Sequence, residues 1–159
     1  MRKGFTLVEL LIVLAVIAAL MAVATPMALN AVRTAKASQV GQNLSALKSA
    51  VEQYVYSEKK IPTTISDLKN YVTNFDAIGK TYKLKYNKPT GSADFFDTNG
   101  QAIIVVVYDA EDVTPSAVAN QYTLAGTVTT AGLATYDGDS FNSTTDKLPG
   151  ATVTVMKWW

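Results

Sequence analysis

The chain contains no cysteine and no histidine. Without cysteine, no disulfide can brace an exported domain. Without histidine, the commonest general base and the imidazole metal ligand are both missing. Catalysis would then need paired carboxylates, a Ser-Lys arrangement or a metal site, and no such motif appears with recognisable spacing. The sequence therefore predicts a protein that is not an enzyme.

A strong charge of either sign is also lacking. The 159 residues include 14 basic and 13 acidic side chains, a formal net charge of +1. This balance creates no global field that would attract nucleic acid. A chain of this length has room for one membrane-spanning helix and one compact domain of about 100–130 residues.

Apolar sequence is abundant near the N-terminus. No polar side chain occurs from Leu10 to Ala24, and the apolar block that begins at Phe5 would form a helix of ~30 Å, the thickness of a bilayer core. Arg2 and Lys3 precede it and favour a cytoplasmic N-terminus. The run is too long for a secretory signal peptide and has no polar break after it.

Glu9 lies inside this apolar block, where a carboxylate costs on the order of 3 kcal/mol and usually marks a function. The segment GFTLVEL, with a short basic leader before it and a proline-containing apolar helix after it, resembles the type IV pilins and their pseudopilin relatives. The resemblance is most specific from Met1 to about Arg33. It implies cleavage between Gly4 and Phe5 by a prepilin peptidase and N-methylation of Phe5.

Cleavage at this position would create a cationic amine at Phe5, close to the Glu9 carboxylate. Two buried charges that pair offset much of each other's desolvation cost. In the family, the glutamate of an incoming subunit meets the amine of its neighbour and sets the axial register of the filament. The alternative is that Glu9 reaches the membrane interface near the helix end.

The predicted fold is α+β, with one long N-terminal helix packed against a small antiparallel sheet. The expected organisation is a cleaved leader at 1–4, a transmembrane and filament-core helix half at 5–30, and a globular head at 31–159. Pro26 removes a helical hydrogen bond and predicts a kink. The helix is predicted to run from about Phe5 to Glu58. Its apolar stripe, spaced mostly by three and four residues, comprises Leu29, Val32, Val40, Leu44, Leu47, Val51, Tyr54 and Val55.

After Pro62 the sequence predicts a short helix over about Ser66–Thr73 and then strands. Alternation from Tyr82 to Tyr86 indicates a half-buried strand, and the β-branched run Ile103–Val107 indicates the central one. An Asn-Gly turn favours a hairpin between two flanking strands. The remaining predicted strands are Ala93–Phe96, Ala102–Tyr108, Gln121–Val128, Leu133–Tyr136 and Ala151–Trp158.

A candidate calcium site is the run that contains Asp137, Asp139 and Asn142, whose oxygen ligands surround a glycine. Major pseudopilins of the secretion branch bind calcium in a C-terminal loop, so the resemblance adds weight to this prediction. The run lacks the closing glutamate of an EF-hand, and the alternative is a solvated turn.

Four lysines near the predicted first strand form a basic stripe, and pili of this family can take up DNA. Alternation places Tyr82 and Tyr86 on the opposite face, away from any bases, so we expect a solvated strand edge protected by lysines. These lysines are Lys80, Lys83, Lys85 and Lys88. Binding of nucleic acid stays open.

The leading interpretation is a type IV pilin, held by a single helix in the cytoplasmic membrane and then built into an extracellular homopolymeric filament. The resemblance implies further partners: inner-membrane lipid before assembly, minor pilins, an assembly ATPase and its membrane platform. Adhesion, twitching motility and DNA uptake are family activities. The alternatives are a pseudopilin of type II secretion and a membrane-tethered binding domain that does not polymerise. Many pilins close their C-terminal region with a disulfide, and a chain without cysteine departs from that pattern.

Overall fold

The computed structural model describes residues 4–73, 75–86, 96–110, 112–122, 126–129 and 147–158. Its helices are α1 (Leu7–Glu58), a 3-10 helix (Ile65–Leu68), α2 (Phe75–Ile78) and α3 (Pro115–Gln121). Its strands are β1 (Tyr82–Tyr86), β2 (Gln101–Tyr108), β3 (Gly126–Thr129) and β4 (Lys147–Met156). The chain divides into two compact units, the stem (Met1–Ala35) and the head (Lys36–Trp159).

Helix α1 buries an apolar stripe only within the head. Its buried positions recur every three or four residues, which places them on one side of the helix. They are Ala37, Val40, Gly41, Leu44, Leu47, Ala50, Val51 and Val55. Leu29 and Val32 were predicted to belong to this stripe, but they lie in the stem and are exposed.

The end of α1 agrees with the predicted boundary at Glu58. Lys59 adopts a left-handed backbone conformation with φ of 55°, and its N–H donates to the carbonyl of Val55 at 3.0 Å. A left-handed residue just after a helix closes the last turn by such a bond. Ile61 and Pro62 follow outside the helix, since a proline disfavours helical backbone at the residue before it.

The four described strands form one antiparallel sheet in the order β1-β2-β4-β3. The register pairs Leu84 with Val106 and Ile104 with Val153. Strand β2 is internal and nearly all buried, so the predicted central strand is confirmed. Strand β1 lies at one edge, and its tyrosines and leucine are buried as the alternation predicted.

One face of the sheet packs against the head half of α1. Tyr82, Leu84 and Tyr86 of β1 belong to the same buried cluster as Leu44 and Leu47 of the helix. Val105, Val107 and Leu148 form a second, smaller cluster. The α+β class, a long helix packed on a small antiparallel sheet, is confirmed.

Polar side chains at the start of the head half of α1 contact the sheet and the segment before α3. Asn43 donates to the Tyr82 hydroxyl at 3.1 Å, and the Tyr108 hydroxyl donates to Asp112 at 2.8 Å. Lys36 forms an ion pair with the same carboxylate. Burial would raise the pKa of Asp112, but hydrogen bonds from Lys36 and Tyr108 outweigh it and hold that pKa below its usual value.

Helix α3 was not predicted. Thr114 precedes it in an extended conformation and Pro115 occupies its first turn, a common helix start that was visible in the sequence. The predicted strand Gln121–Val128 is wrong in its first part, since Gln121 ends α3 and β3 begins at Gly126. The last strand begins at Lys147, earlier than predicted.

The short helix predicted at Ser66–Thr73 is a single 3-10 turn, Ile65–Leu68. Asp67 fixes its start by accepting from the backbone N–H groups of Thr63 and Thr64 at 2.7 and 3.0 Å. At the Asn-Gly turn, Gly100 has φ of +75°, which favours glycine. The predicted strand Leu133–Tyr136 and most of Ala93–Phe96 lie outside the described residues.

Candidate assembly site

The N-terminus of α1 is closed by a reciprocal capping box. The Thr6 carbonyl accepts the first helical bond from Leu10 N–H at 3.2 Å. The Thr6 hydroxyl oxygen accepts from Glu9 N–H at 3.3 Å, and Glu9 Oε2 accepts from Thr6 N–H at 2.8 Å. Two backbone donors that a helix start leaves without partners are thereby satisfied.

Glu9 therefore has a role inside its own chain. Its Oε2 also accepts from the Thr6 hydroxyl at 2.8 Å. This role was not predicted, although Thr-x-x-Glu before an apolar run is the signature of a capping box. Within the described residues, these bonds all use one carboxylate oxygen, and the other oxygen remains on the exposed side chain.

The predicted cleavage junction precedes the helix and is exposed. Gly4 and Phe5 are non-helical, and the Phe5 side chain is 89% exposed. A Cβ atom added to Gly4 would meet no atom within 4 Å. Packing among the described residues thus gives no reason for glycine at position 4.

The stem carries apolar side chains on every side. All its large apolar residues from Phe5 to Val32 are exposed, by fractions between 47% and 89%. By length and composition, α1 is the one described helix that could cross a membrane. A helix that is apolar all round needs lipid or other protein around it.

Pro26 lies inside α1, and the helix continues on both sides of it. Proline has no N–H, so the carbonyl of Ala22 loses its usual helical donor. The neighbouring Thr25 hydroxyl donates to a different carbonyl, that of Met21, at 2.8 Å. A bond of this kind tends to bend a helix. The kink at Pro26 stays a prediction.

The candidate calcium ligands Asp137, Asp139 and Asn142 lie outside the described residues. In the part of the chain that is described, no three acidic side chains come together to hold a metal ion. The calcium site stays a prediction.

The basic stripe is placed only in part. Lys80 is exposed, Lys83 and Lys85 are half-buried on β1, and Lys88 lies outside the described residues. The tyrosines between them are buried, at 2% exposure for Tyr82, so they offer no stacking surface to bases.

The first 25 residues match the family model for the prokaryotic N-terminal methylation motif. This motif is the class III leader of type IV pilins and pseudopilins. No curated protein and no solved structure matches the chain.

The motif supports a type IV pilin or pseudopilin-like protein, which is a structural protein. It implies processing by a prepilin peptidase and assembly into pilus-like filaments. The apolar helix behind it is consistent with membrane anchoring.

Proposed function

We propose that this protein is the structural subunit of a type IV pilus. One observation carries the proposal: the methylation motif extends into a helix whose apolar side chains are exposed on every side along the stem. Before assembly, lipid of the cytoplasmic membrane covers this stem, with the N-terminus in the cytoplasm. After extraction by the assembly ATPase and its platform, the stems of neighbouring copies cover one another.

Processing by the prepilin peptidase takes place at the exposed junction. The bond between Gly4 and Phe5 lies outside the helix, where an enzyme has access to it. Because packing gives no reason for glycine at position 4, we assign that requirement to the peptidase. Cleavage frees the Phe5 amine, which is then methylated and keeps its positive charge.

The freed amine and Glu9 provide the register of the filament. Within one chain, Glu9 uses Oε2 for its cap, so its other oxygen is available to the Phe5 amine of a neighbour. Within the apolar core of a filament, a charge without a partner is costly, and pairing selects one axial position.

Two substitutions distinguish the capping role of Glu9 within its own chain from its proposed role in setting the filament register. Glu9→Gln keeps a side-chain oxygen that accepts from Thr6 N–H, whereas Glu9→Ala removes both the acceptor and the charge. We expect both variants to lose most filaments, measured by electron microscopy of sheared surface material. Normal filaments from Glu9→Gln, with loss in Glu9→Ala, would show that capping alone is required.

The proposed function is tested by comparing cells that express the chain with cells that lack it. Long surface fibres that depend on the chain support a pilus subunit. A chain that is processed but stays in the membrane, without long fibres, supports a pseudopilin. A chain that keeps its leader in cells with an active peptidase excludes both.

A further inference from the structure

A groove of about 700 Å³ opens on the surface of the head, near the C-terminal end of α1. Its walls come from the last turns of that helix and from Tyr71, which follows the 3-10 helix. The lining side chains are Ser49, Glu52, Gln53, Tyr56, Ser57 and Tyr71. Two of these described residues are aromatic, one is a carboxylate, and none is positively charged.

The wall that Tyr71 forms is held by two contacts. The Tyr71 hydroxyl donates to Glu58 at 3.2 Å. The Tyr71 ring packs edge-on against the ring of Tyr54, with 5.6 Å between centroids and 75° between the ring planes. Because this aromatic wall is ordered before any ligand arrives, binding costs less side-chain entropy.

Tyr56 and Glu52 form the facing part of the groove. They are four residues apart on α1, so their Cβ atoms are neighbours at about 5–6 Å on the same side of the helix. Tyr56 is 49% exposed, which leaves ring surface for a ligand. A group that rests on the Tyr56 ring is therefore within reach of the Glu52 carboxylate.

The carboxylates at the groove have no cationic partner among the described residues. Glu52 forms no ion pair there, and the hydrogen bond that Glu58 accepts comes from a neutral hydroxyl, that of Tyr71. Lys59 is next to Glu58 in sequence, but its ammonium lies over the ring of Trp158, 5.4 Å from the centroid. The groove therefore keeps a net negative charge.

The electrostatics of Tyr54, behind the Tyr71 wall, agree with this charge. Burial raises the pKa of the Tyr54 hydroxyl, and the negative charges of Asp67 and Glu58 raise it further. Neighbouring carboxylates that disfavour a phenolate also favour a cation at the same place.

Aromatic rings beside an unpaired carboxylate suit a cation that is bulky and weakly hydrated. A ring attracts such a cation within about 6 Å of its centroid, and quaternary ammonium groups are recognised in this way. A divalent metal ion needs several oxygen ligands, and no group of three acidic side chains forms among the residues that the structure describes. A primary ammonium is compact and strongly hydrated, so it loses more solvation on entering.

We propose that this groove binds a small quaternary ammonium ligand, with the cation between the rings of Tyr56 and Tyr71 and its charge facing Glu52. The site goes beyond the structural role of a pilus subunit. It lies within the head of a single chain, so it is tested without filament assembly.

Choline is the probe, and 3,3-dimethyl-1-butanol is its control, because it has the same shape with a neutral carbon in place of the nitrogen. Both are titrated onto the full chain in a maltoside detergent, which carries no ammonium group, and binding is followed by saturation-transfer nuclear magnetic resonance. We expect saturable binding of choline and roughly tenfold weaker binding of the neutral compound.

Four variants locate the site, and circular dichroism confirms that each one folds. Glu52→Gln and Tyr56→Leu should weaken choline binding severalfold, whereas Tyr56→Phe keeps the ring and should bind like the wild type. Asp76→Asn removes a matched charge from an exposed position on α2, outside the groove lining, and should also bind normally.

Three results would overturn the proposed site: no saturable binding of choline, equal binding of the neutral compound, or equal losses from Glu52→Gln and Asp76→Asn. Each of these results would leave the proposed function intact, since that function is tested by fibres and processing. Loss of fibres with choline binding retained would overturn the proposed function alone.

Discussion

Gly41 lies on the buried side of α1, where α3 ends against the helix. A Cβ atom at this position would lie 2.8 Å from Cγ and 3.1 Å from Cβ of Tyr122, and nearer still to Cδ2 of that ring. Tyr122 is tied to α3, because its N–H donates to the Val118 carbonyl at 2.9 Å. This bond holds the backbone of Tyr122 in place, and rotation of the side chain about its Cα–Cβ bond cannot move its Cβ, so an added methyl group at position 41 remains crowded.

Two opposing effects decide the stability of Gly41→Ala. Alanine favours the helix over glycine by about 1 kcal/mol. Overpacking of this kind costs about 3 kcal/mol, at the upper end of its usual range, since both the ring and its Cβ are in the way. We expect a net loss of about 2 kcal/mol, which lowers the unfolding temperature of the head by roughly 8 °C.

The assay is thermal unfolding of the full chain in detergent, followed by the near-ultraviolet circular dichroism of its tyrosines. The control is Tyr122→Ala, which removes the ring and leaves only the 3.1 Å contact to relax. In that background, Gly41→Ala should stabilise the head by about 1 kcal/mol through helix propensity. A higher unfolding temperature for Gly41→Ala in the wild-type background would refute the close contact.

Two further predictions concern the head. Asp112 has a lowered pKa when folded, so the stability from its contacts with Lys36 and Tyr108 is present above its unfolded pKa and is lost as the pH falls through the folded value. Urea unfolding at pH 6 and pH 3 should show a larger acid loss in the wild type than in Asp112→Asn, and equal losses would contradict this role. Leu44 is fully buried, so Leu44→Ala should cost about 2–5 kcal/mol in the same assay. A smaller loss from Leu44→Ala than from Leu29→Ala, at an exposed stem position, would contradict the assigned core.

The N-terminal motif was readable from sequence because it lies in consecutive residues. The head core was readable from Val40 to Val55, where apolar and polar positions alternate with helical period. The start of that core could not be predicted from the stem sequence, because a segment that is apolar at almost every position shows no hydrophobic periodicity. Only the fold shows that burial begins at Ala37 and excludes Val32.

The order of the strands in the sheet could not be predicted from local sequence patterns. Strand β4 pairs with both β2 and β3, and the chain gives no local signal for a partner that is distant in sequence. Helix α3 and the capping box of Thr6 and Glu9 are different cases. Both have a local signal in the sequence: a proline in the first helical turn of α3, and a Thr-x-x-Glu start for α1.

Mass spectrometry of the N-terminal peptide from purified, sheared surface fibres tests most directly whether this chain is a processed pilus subunit. We predict that the main fibre subunit is this chain and that it begins at Phe5 with one added methyl group. Fibres whose subunit still begins at Met1, or fibres that do not contain the chain, would contradict its assignment as a processed pilus subunit.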